Sequence, residues 1–203
     1  MTNKLVNMIT SPSLTRRLFA LWGLGIAINL LAWSIGFFFL PEGAIRGVLP
    51  APELIPDNGG WGAIFGRIFV YNIVIGCGLI VGANLFRVGR LPLGYVPVLF
   101  HWGMFGLLLG TNSFGVARER AATPDLLALV RSPGFAELTA FTFVAAATIG
   151  LHMYRQESLW RLRTTRTRRW ADVRLSLCEL ATVAVAVLLV LAGAAAEAGN
   201  ILG

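Results

Sequence analysis

Residues 18–40 read LFALWGLGIAINLLAWSIGFFFL, an apolar stretch of 23 residues without a charge. A helix of about 20 apolar residues crosses the roughly 30 Å hydrocarbon layer of a bilayer, where an open backbone finds no hydrogen-bond partner. Over the whole chain 56% of residues are hydrophobic and only 13% are charged, a balance that a water-soluble domain does not tolerate easily. The stretch predicts a membrane helix, and the composition predicts a membrane protein.

Four further stretches meet or approach this length. Together with the first they predict an all-α fold, a single transmembrane domain over residues 1–203 with five spans at residues 18–40, 64–86, 96–113, 135–153 and 175–194. The third span is the shortest. The segment from Thr15 to Phe19 resembles a twin-arginine export motif, but the apolar run after it exceeds the roughly 7 to 15 residues of a signal-peptide core. We expect this run to be retained as the first span.

The distribution of arginine and lysine predicts the orientation, because cytoplasmic loops carry an excess of these residues. With the N-terminus inside and the C-terminus outside, the inner segments hold 12 of the 17 basic residues. These are Lys4, Arg16, Arg17, Arg87, Arg90, Arg155, Arg161, Arg163, Arg166, Arg168, Arg169 and Arg174. The opposite orientation would reverse this count, so the pattern favours a cytoplasmic N-terminus.

The densest basic run extends from Arg161 to Arg174. It is either a topology signal alone or a docking surface for anionic lipid or an acidic partner, with Trp160 and Trp170 in the interface. The net charge of +7 does not indicate nucleic acid, because the basic residues flank the apolar runs. We therefore expect the lipid bilayer as a partner and no nucleic acid.

The two outer segments differ in their turn residues. Residues 41–61 contain Pro41, Pro50, Pro52, Pro56 and the pair Gly59-Gly60, which excludes a long helix there. The later Thr123-Pro124-Asp125 predicts the start of a short surface helix, with a cap residue followed by proline.

Polar side chains inside the spans are the candidate functional positions, because such groups are costly in lipid. They form an outer layer of Arg67, Asn72, Asn112, Glu137 and Thr139, and an inner layer of Asn84, His101, His152 and Glu179. Arg67 and Glu137 enter their spans from the same side, so an ion pair between them is geometrically open. Such a pair fixes helix register or serves a transport path. Glu179 lies close enough to the inner surface to snorkel or to pair with a nearby arginine.

Other residues bear on chemistry and packing. His101 and His152 could in principle be the axial ligands of a b-type haem, although their spacing is not diagnostic. The GxxxG matches Gly78–Gly82 and Gly106–Gly110 predict close helix contacts, within the chain more often than between copies. Cys77 and Cys178 lie in apolar runs, as packing residues do. No Walker loop, nucleophile elbow, paired-cysteine zinc motif or zincin helix occurs in the sequence, so we expect no enzyme, cofactor or metal.

One part of the chain resembles a known family. Residues 68–72 read IFVYN, Gly78 and Gly82 follow, and GFAEL at 134–138 leads to AAATIGL at 145–151. This pattern is similar to the stage II sporulation protein M family, in which phenylalanine and asparagine open one span and a His-Gly-x-x-Glu-Leu sequence opens a later one. The resemblance covers residues 64–151. Asn72, Gly134 and Glu137 match the family pattern, whereas Pro133 replaces its usual histidine.

The resemblance implies a bacterial inner-membrane protein that works with protein partners or as a homo-oligomer. Three function classes follow from the sequence: a non-enzymatic scaffold or assembly component of a cell-envelope complex, a small transporter or channel subunit that uses polar residues around Glu137, and an intramembrane enzyme or haem protein. The scaffold is the leading interpretation.

Overall fold

The computed structural model describes residues 2–46, 59–114, 123–158 and 161–202. Within these ranges the chain is mainly helical, as the apolar pattern predicts. Four helices are long and apolar enough to cross a bilayer: Leu14–Phe39, Trp61–Asn84, Gly134–Leu151 and Leu177–Leu202. They correspond to the first, second, fourth and fifth predicted spans. The third predicted span is the shorter apolar helix Tyr95–Thr111.

The first long helix packs against this shorter one. Helix α1 (Thr2–Ile9) precedes α2 (Leu14–Phe39), which begins after Ser13, whose hydroxyl accepts the Arg16 backbone N–H at 3.5 Å. Helix α2 buries a row at every fourth position, and the shorter apolar helix (Tyr95–Thr111) buries a matching row. Rows of this spacing are the ridges that interdigitate in the commonest helix packing. The two rows are Leu21, Gly25, Asn29 and Trp33, and Val98, Trp102, Gly106 and Gly110.

Glycine allows these two helices to approach closely. A Cβ on Gly106 would collide with the carbonyl oxygen of Asn29, and one on Gly110 would collide with that of Trp33. The predicted packing role of this GxxxG match is therefore confirmed within the chain. The other match makes no close contact with the described part of the chain: a Cβ on Gly82 would have none of its heavy atoms within 4 Å, and one on Gly78 would meet only an oxygen of its own helix at 3.8 Å. A packing role for Gly78 and Gly82 between copies stays a prediction.

The second long helix contains a change of helix type. It consists of α3 (Trp61–Tyr71), a π-helical segment (Asn72–Cys77) and α4 (Gly78–Asn84). Its buried residues again recur at every fourth position, a spacing that drifts around an α-helix of 3.6 residues per turn. The wider π-helical turn takes up part of that drift. The row therefore stays directed into the bundle over its full length: Ile64, Ile68, Asn72, Gly76, Ile80 and Asn84.

The remaining helices complete the bundle. In chain order they are α5 (Tyr95–Thr111), α6 (Leu126–Arg131), α7 (Pro133–Ala147) with a 3-10 extension (Thr148–Leu151), and α8 (Leu177–Leu202). Helix α7 begins at Pro133 after Ser132, and it buries much of its length against α2, α5 and α8. The cap of α6 is Asp125, whose carboxylate accepts the N–H groups of Leu127 and Ala128, so the expected capping role of Thr123 is wrong.

A small four-stranded sheet lies at one end of the bundle, where the all-α prediction has no strands. Its strands are β1 (Phe86–Val88), β2 (Leu91–Pro92), β3 (Tyr154–Ser158) and β4 (Arg161–Arg166), in the order β2-β1-β3-β4. Strands β1 and β3 are parallel, with Arg87 opposite Arg155. The helices end at Asn84 and Leu151 rather than at the predicted 86 and 153, because the next residues enter the sheet. The basic run from Arg161 continues through β4 into a 3-10 turn (Trp170–Asp172).

Contacts place the predicted inner and outer segments at opposite ends of the bundle. At the sheet end, the Tyr95 hydroxyl donates to the Ile9 carbonyl at 2.7 Å and Arg90 donates to Asn7 at 3.3 Å. At the other end, Asn112 Nδ2 donates to Glu42 at 2.6 Å and Arg46 donates to the Asn112 carbonyl at 3.2 Å. The predicted turn residues Pro50, Pro52 and Pro56 lie outside the described residues.

Candidate functional site

One group of polar residues surrounds Glu137 inside the bundle. Nδ2 of Asn72 donates a hydrogen bond to Oε1 of Glu137 at 2.6 Å, which joins the π-helical segment to α7. Gly193 of α8 leaves room for this carboxyl group, because a Cβ there would lie 2.8 Å from Glu137 Cγ. Three of the long helices therefore meet at Glu137.

Arg67 lies on a different face of α3. It is exposed and lines a shallow apolar groove with Gly66, Val70 and Val74. Within the described residues there is no ion pair between Arg67 and Glu137, so the pairing that the sequence left open is not formed. The inward row has a four-residue spacing from Ile68 to Asn72, and Arg67 is rotated from Ile68 by the 100° that separates successive helical residues.

Asn84 joins the sheet end of the second long helix to α7. Its Nδ2 donates to the Ala145 carbonyl at 2.9 Å and to the Thr148 hydroxyl at 2.7 Å. Asn84 is fully buried, and interhelical hydrogen bonds from such amides hold helices together in lipid. The candidate Asn84 is thus a helix-joining residue in this structure.

Arg17 and Glu179 form a buried ion pair between α2 and α8. The Arg17 side chain is 4% exposed, and it also donates to the carbonyls of Ala146 at 2.8 Å and Pro12 at 3.1 Å. The predicted pairing of Glu179 with an arginine is confirmed. The partner is Arg17 of the first long helix, so this cluster connects α2, α7 and α8.

The two histidines lie in separate surroundings. The His101 ring packs edge-on against Phe141 at a centroid distance of 5.2 Å, and its Nδ1 lies 2.6 Å from the Pro97 carbonyl. His152 follows the 3-10 extension, eleven residues after Phe141, which corresponds to roughly 16 Å of helical rise. A single haem iron needs both imidazoles beside it, so this arrangement speaks against the bis-histidine haem alternative. Within the described residues there is no cluster of three or more His, Cys, Asp or Glu suited to a metal.

A basic cavity of about 700 Å³ opens at the sheet end of the bundle. It lies between the end of α1, the β1–β2 hairpin, β3 and the segment after β4. Its lining combines basic side chains with hydroxyl and amide groups and contains no carboxylate among the described residues. The lining residues are Asn7, Thr10, Pro12, Arg87, Gly89, Arg90, His152, Arg155 and Thr167.

The charges in this cavity perturb each other. Burial lowers the pKa of His152, and the guanidinium groups of Arg87 and Arg168 lower it further. Arg87 Nη1 lies 3.5 Å from His152 Nε2. Burial also lowers the pKa of Arg87, and its neighbours Arg168 and Arg155 act in the same direction. The buried Nε–H of Arg87 has no hydrogen-bond acceptor within the described part of the chain. The described lining is thus a concentration of positive charge that contains no carboxylate.

Sequence reasoning missed three features of these sites. Arg17 was assigned only to the flanking positive charge, although it stands four residues before Leu21 in the buried row of α2. The four-residue row also identifies Asn72 as inward-facing and Arg67 as not. The basic cavity had no comparable signal, because it forms only when strands separated by more than 60 residues pair.

No family model, curated protein or solved structure matches the chain. The resemblance to the stage II sporulation protein M family therefore remains an expectation from the sequence.

Proposed function

We propose that the chain is a non-enzymatic scaffold of the bacterial inner membrane that serves as an assembly component of a cell-envelope complex. One observation supports this most directly: polar side chains within the bundle join helices to one another. Asn29, Asn72, Asn84, Trp102 and Arg17 each donate to a neighbouring helix. A bundle joined in this way is suited to hold a surface in a fixed position.

The proposed topology has five spans, with the short helix α5 as the third and the sheet in the cytoplasm. The contacts of Asn7 and Ile9 with the hairpin and α5 support it, because they group the arginine-rich segments with the N-terminal segment, as the positive-inside rule requires. A reporter fused at Gly203 should be active outside, and one inserted at the β1–β2 turn at Gly89 should be active in the cytoplasm. Cytoplasmic activity of the Gly203 fusion would overturn this orientation.

The surface for protein partners is the exposed face of the sheet and its 3-10 turn. Trp170 is 63% exposed there, and Arg163, Arg166 and Arg169 are exposed nearby. An aromatic side chain among arginines is typical of a protein interface. Affinity purification from native membranes after cross-linking should recover a defined set of proteins. Trp170→Ala should lose that set, whereas Phe39→Ala, which truncates an aromatic exposed at the far end, should retain it.

Glu137 distinguishes the scaffold from the transport alternative. Gln keeps an amide oxygen that accepts the Asn72 hydrogen bond but removes the ionisable carboxyl group. A scaffold with Glu137→Gln should reach normal membrane levels and recover the same partners. If this variant is produced normally but loses its partners, or if ion flux in reconstituted vesicles depends on Glu137, the scaffold proposal fails.

A further inference from the structure

The basic cavity has the composition of an anion site. Three arginines line it, Arg87, Arg90 and Arg155, each from a different position of the β1–β2–β3 arrangement. Arginine presents a planar fork of N–H donors that matches the oxygen atoms of a phosphate group. The hydroxyls of Thr10 and Thr167 add neutral donors to the same wall.

Within the described lining of the cavity, Arg90 donates to the neutral amide oxygen of Asn7 at 3.3 Å, but no negatively charged group balances the arginines. The described lining contains no carboxylate, and Arg87 Nε is buried without an acceptor in the described chain. A buried donor without a partner costs free energy. The ion pair between Arg17 and Glu179 at the same end shows that this fold supplies a carboxylate where an arginine is buried for structural reasons. The open donors of the cavity are therefore available to a ligand.

The volume of the cavity and its position in the fold restrict the class of ligand further. A volume of about 700 Å³ lies in the range of small-molecule sites, which is roughly 300 to 1,000 Å³, and exceeds the needs of a single inorganic ion. Helix α1, which contributes Asn7 to the cavity, also exposes Leu5 and Met8. Exposed apolar residues next to basic ones are typical of a helix at the lipid headgroup level.

We propose that this cavity binds a phosphate-bearing ligand through Arg87, Arg90 and Arg155. The phosphate belongs either to the headgroup of an anionic lipid or to a soluble phosphate compound. The site is independent of the scaffold proposal, because it uses the interior of the cavity rather than the exposed face with Trp170.

The test measures binding of two probes to the full chain purified in a neutral detergent. One probe is phosphatidylglycerol in mixed micelles, compared with phosphatidylcholine, and the other is inorganic phosphate. Saturable binding of phosphatidylglycerol alone identifies a lipid headgroup site, and saturable binding of phosphate identifies a site for soluble ligands. Both results support the proposal. If neither probe saturates, the proposal is overturned. It is also overturned if phosphate does not saturate and phosphatidylcholine binds as well as phosphatidylglycerol.

Matched variants separate this site from general attraction to a basic surface. Arg90→Gln and Arg155→Gln each remove one charge from the cavity wall, and each should weaken binding about tenfold, as expected for a charge-assisted hydrogen bond. Arg163→Gln removes the same charge from exposed β4, outside the cavity lining, and should change binding less than twofold. Equal weakening by all three variants would show non-specific attraction and refute the site. Unchanged thermal unfolding of each variant checks that the fold is intact.

Discussion

Replacing Gly106 by alanine tests the close packing of α2 on α5. In a helix interior, alanine is intrinsically more stable than glycine by about 0.5 to 1 kcal/mol. At Gly106 the new methyl group would collide with the backbone oxygen of Asn29 and also approach Ala32 Cβ at 3.0 Å. Backbone atoms cannot rotate away, so the helices must separate, and overpacking of this kind costs about 1 to 3 kcal/mol. We expect a net loss of about 1 to 2 kcal/mol in the free energy of unfolding.

Gly82→Ala is the matched control, because Gly82 is also a helical glycine of a GxxxG match but has open space at its Cβ position. It should be neutral or should stabilise the protein by up to about 1 kcal/mol. The assay is reversible unfolding in mixed micelles with increasing denaturing detergent, followed by circular dichroism. If Gly106→Ala is as stable as Gly82→Ala, the α2–α5 contact is not as close as described and the reasoning fails.

Two further predictions concern charged groups at the sheet end. Glu179→Gln leaves Arg17 buried without a countercharge and should lower the free energy of unfolding by about 3 kcal/mol. The double variant Arg17→Leu, Glu179→Leu should lose less of this free energy than Arg17→Leu alone. Equal losses for these two variants would contradict the pairing. His152 should titrate below the roughly 6.5 of a free imidazole, and Arg87→Gln should raise its pKa by removing a neighbouring charge, as measured by NMR. Because the pKa of His152 is lower in the folded state than in the unfolded state, the unfolded state binds the proton more readily. The free energy of unfolding should therefore decrease as the pH falls below the unfolded-state pKa. A His152 pKa above that of a free imidazole would refute this account.

The helical part of the fold could be predicted because a helix that crosses a bilayer needs a run of about 20 apolar residues, which can be read directly from the sequence. Four of the five predicted spans coincide with long apolar helices, and the short helix predicted to start around Thr123-Pro124-Asp125 is α6. Glu179 was expected either to snorkel or to pair with an arginine, and it pairs with Arg17. In each case the information is local: a run of apolar residues, a cap, or a charge near a helix end.

The features that were missed depend on the direction in which side chains point from a helix and on the pairing of strands that are distant in the sequence. A list of polar residues in a span does not separate Arg67 from Asn72, whereas the four-residue buried row does. The sheet could not be predicted because β1 and β2 contain only three and two residues. An isolated two-stranded hairpin has marginal stability. Strands β1 and β2 therefore depend on the parallel pairing of β1 with β3.

That parallel pairing has a consequence for the biogenesis of the protein. Phe86 is opposite Tyr154, so the chain must be synthesised and inserted through α5 and α7 before the partner strand exists. Until Thr167 has also left the ribosome, the wall of the basic cavity is incomplete and the cavity cannot enclose a ligand. Occupancy by phosphate would therefore report that the chain up to Thr167 has folded, although α8 still follows. A chain truncated before Tyr154 should form the earlier helices but should not retain the ligand.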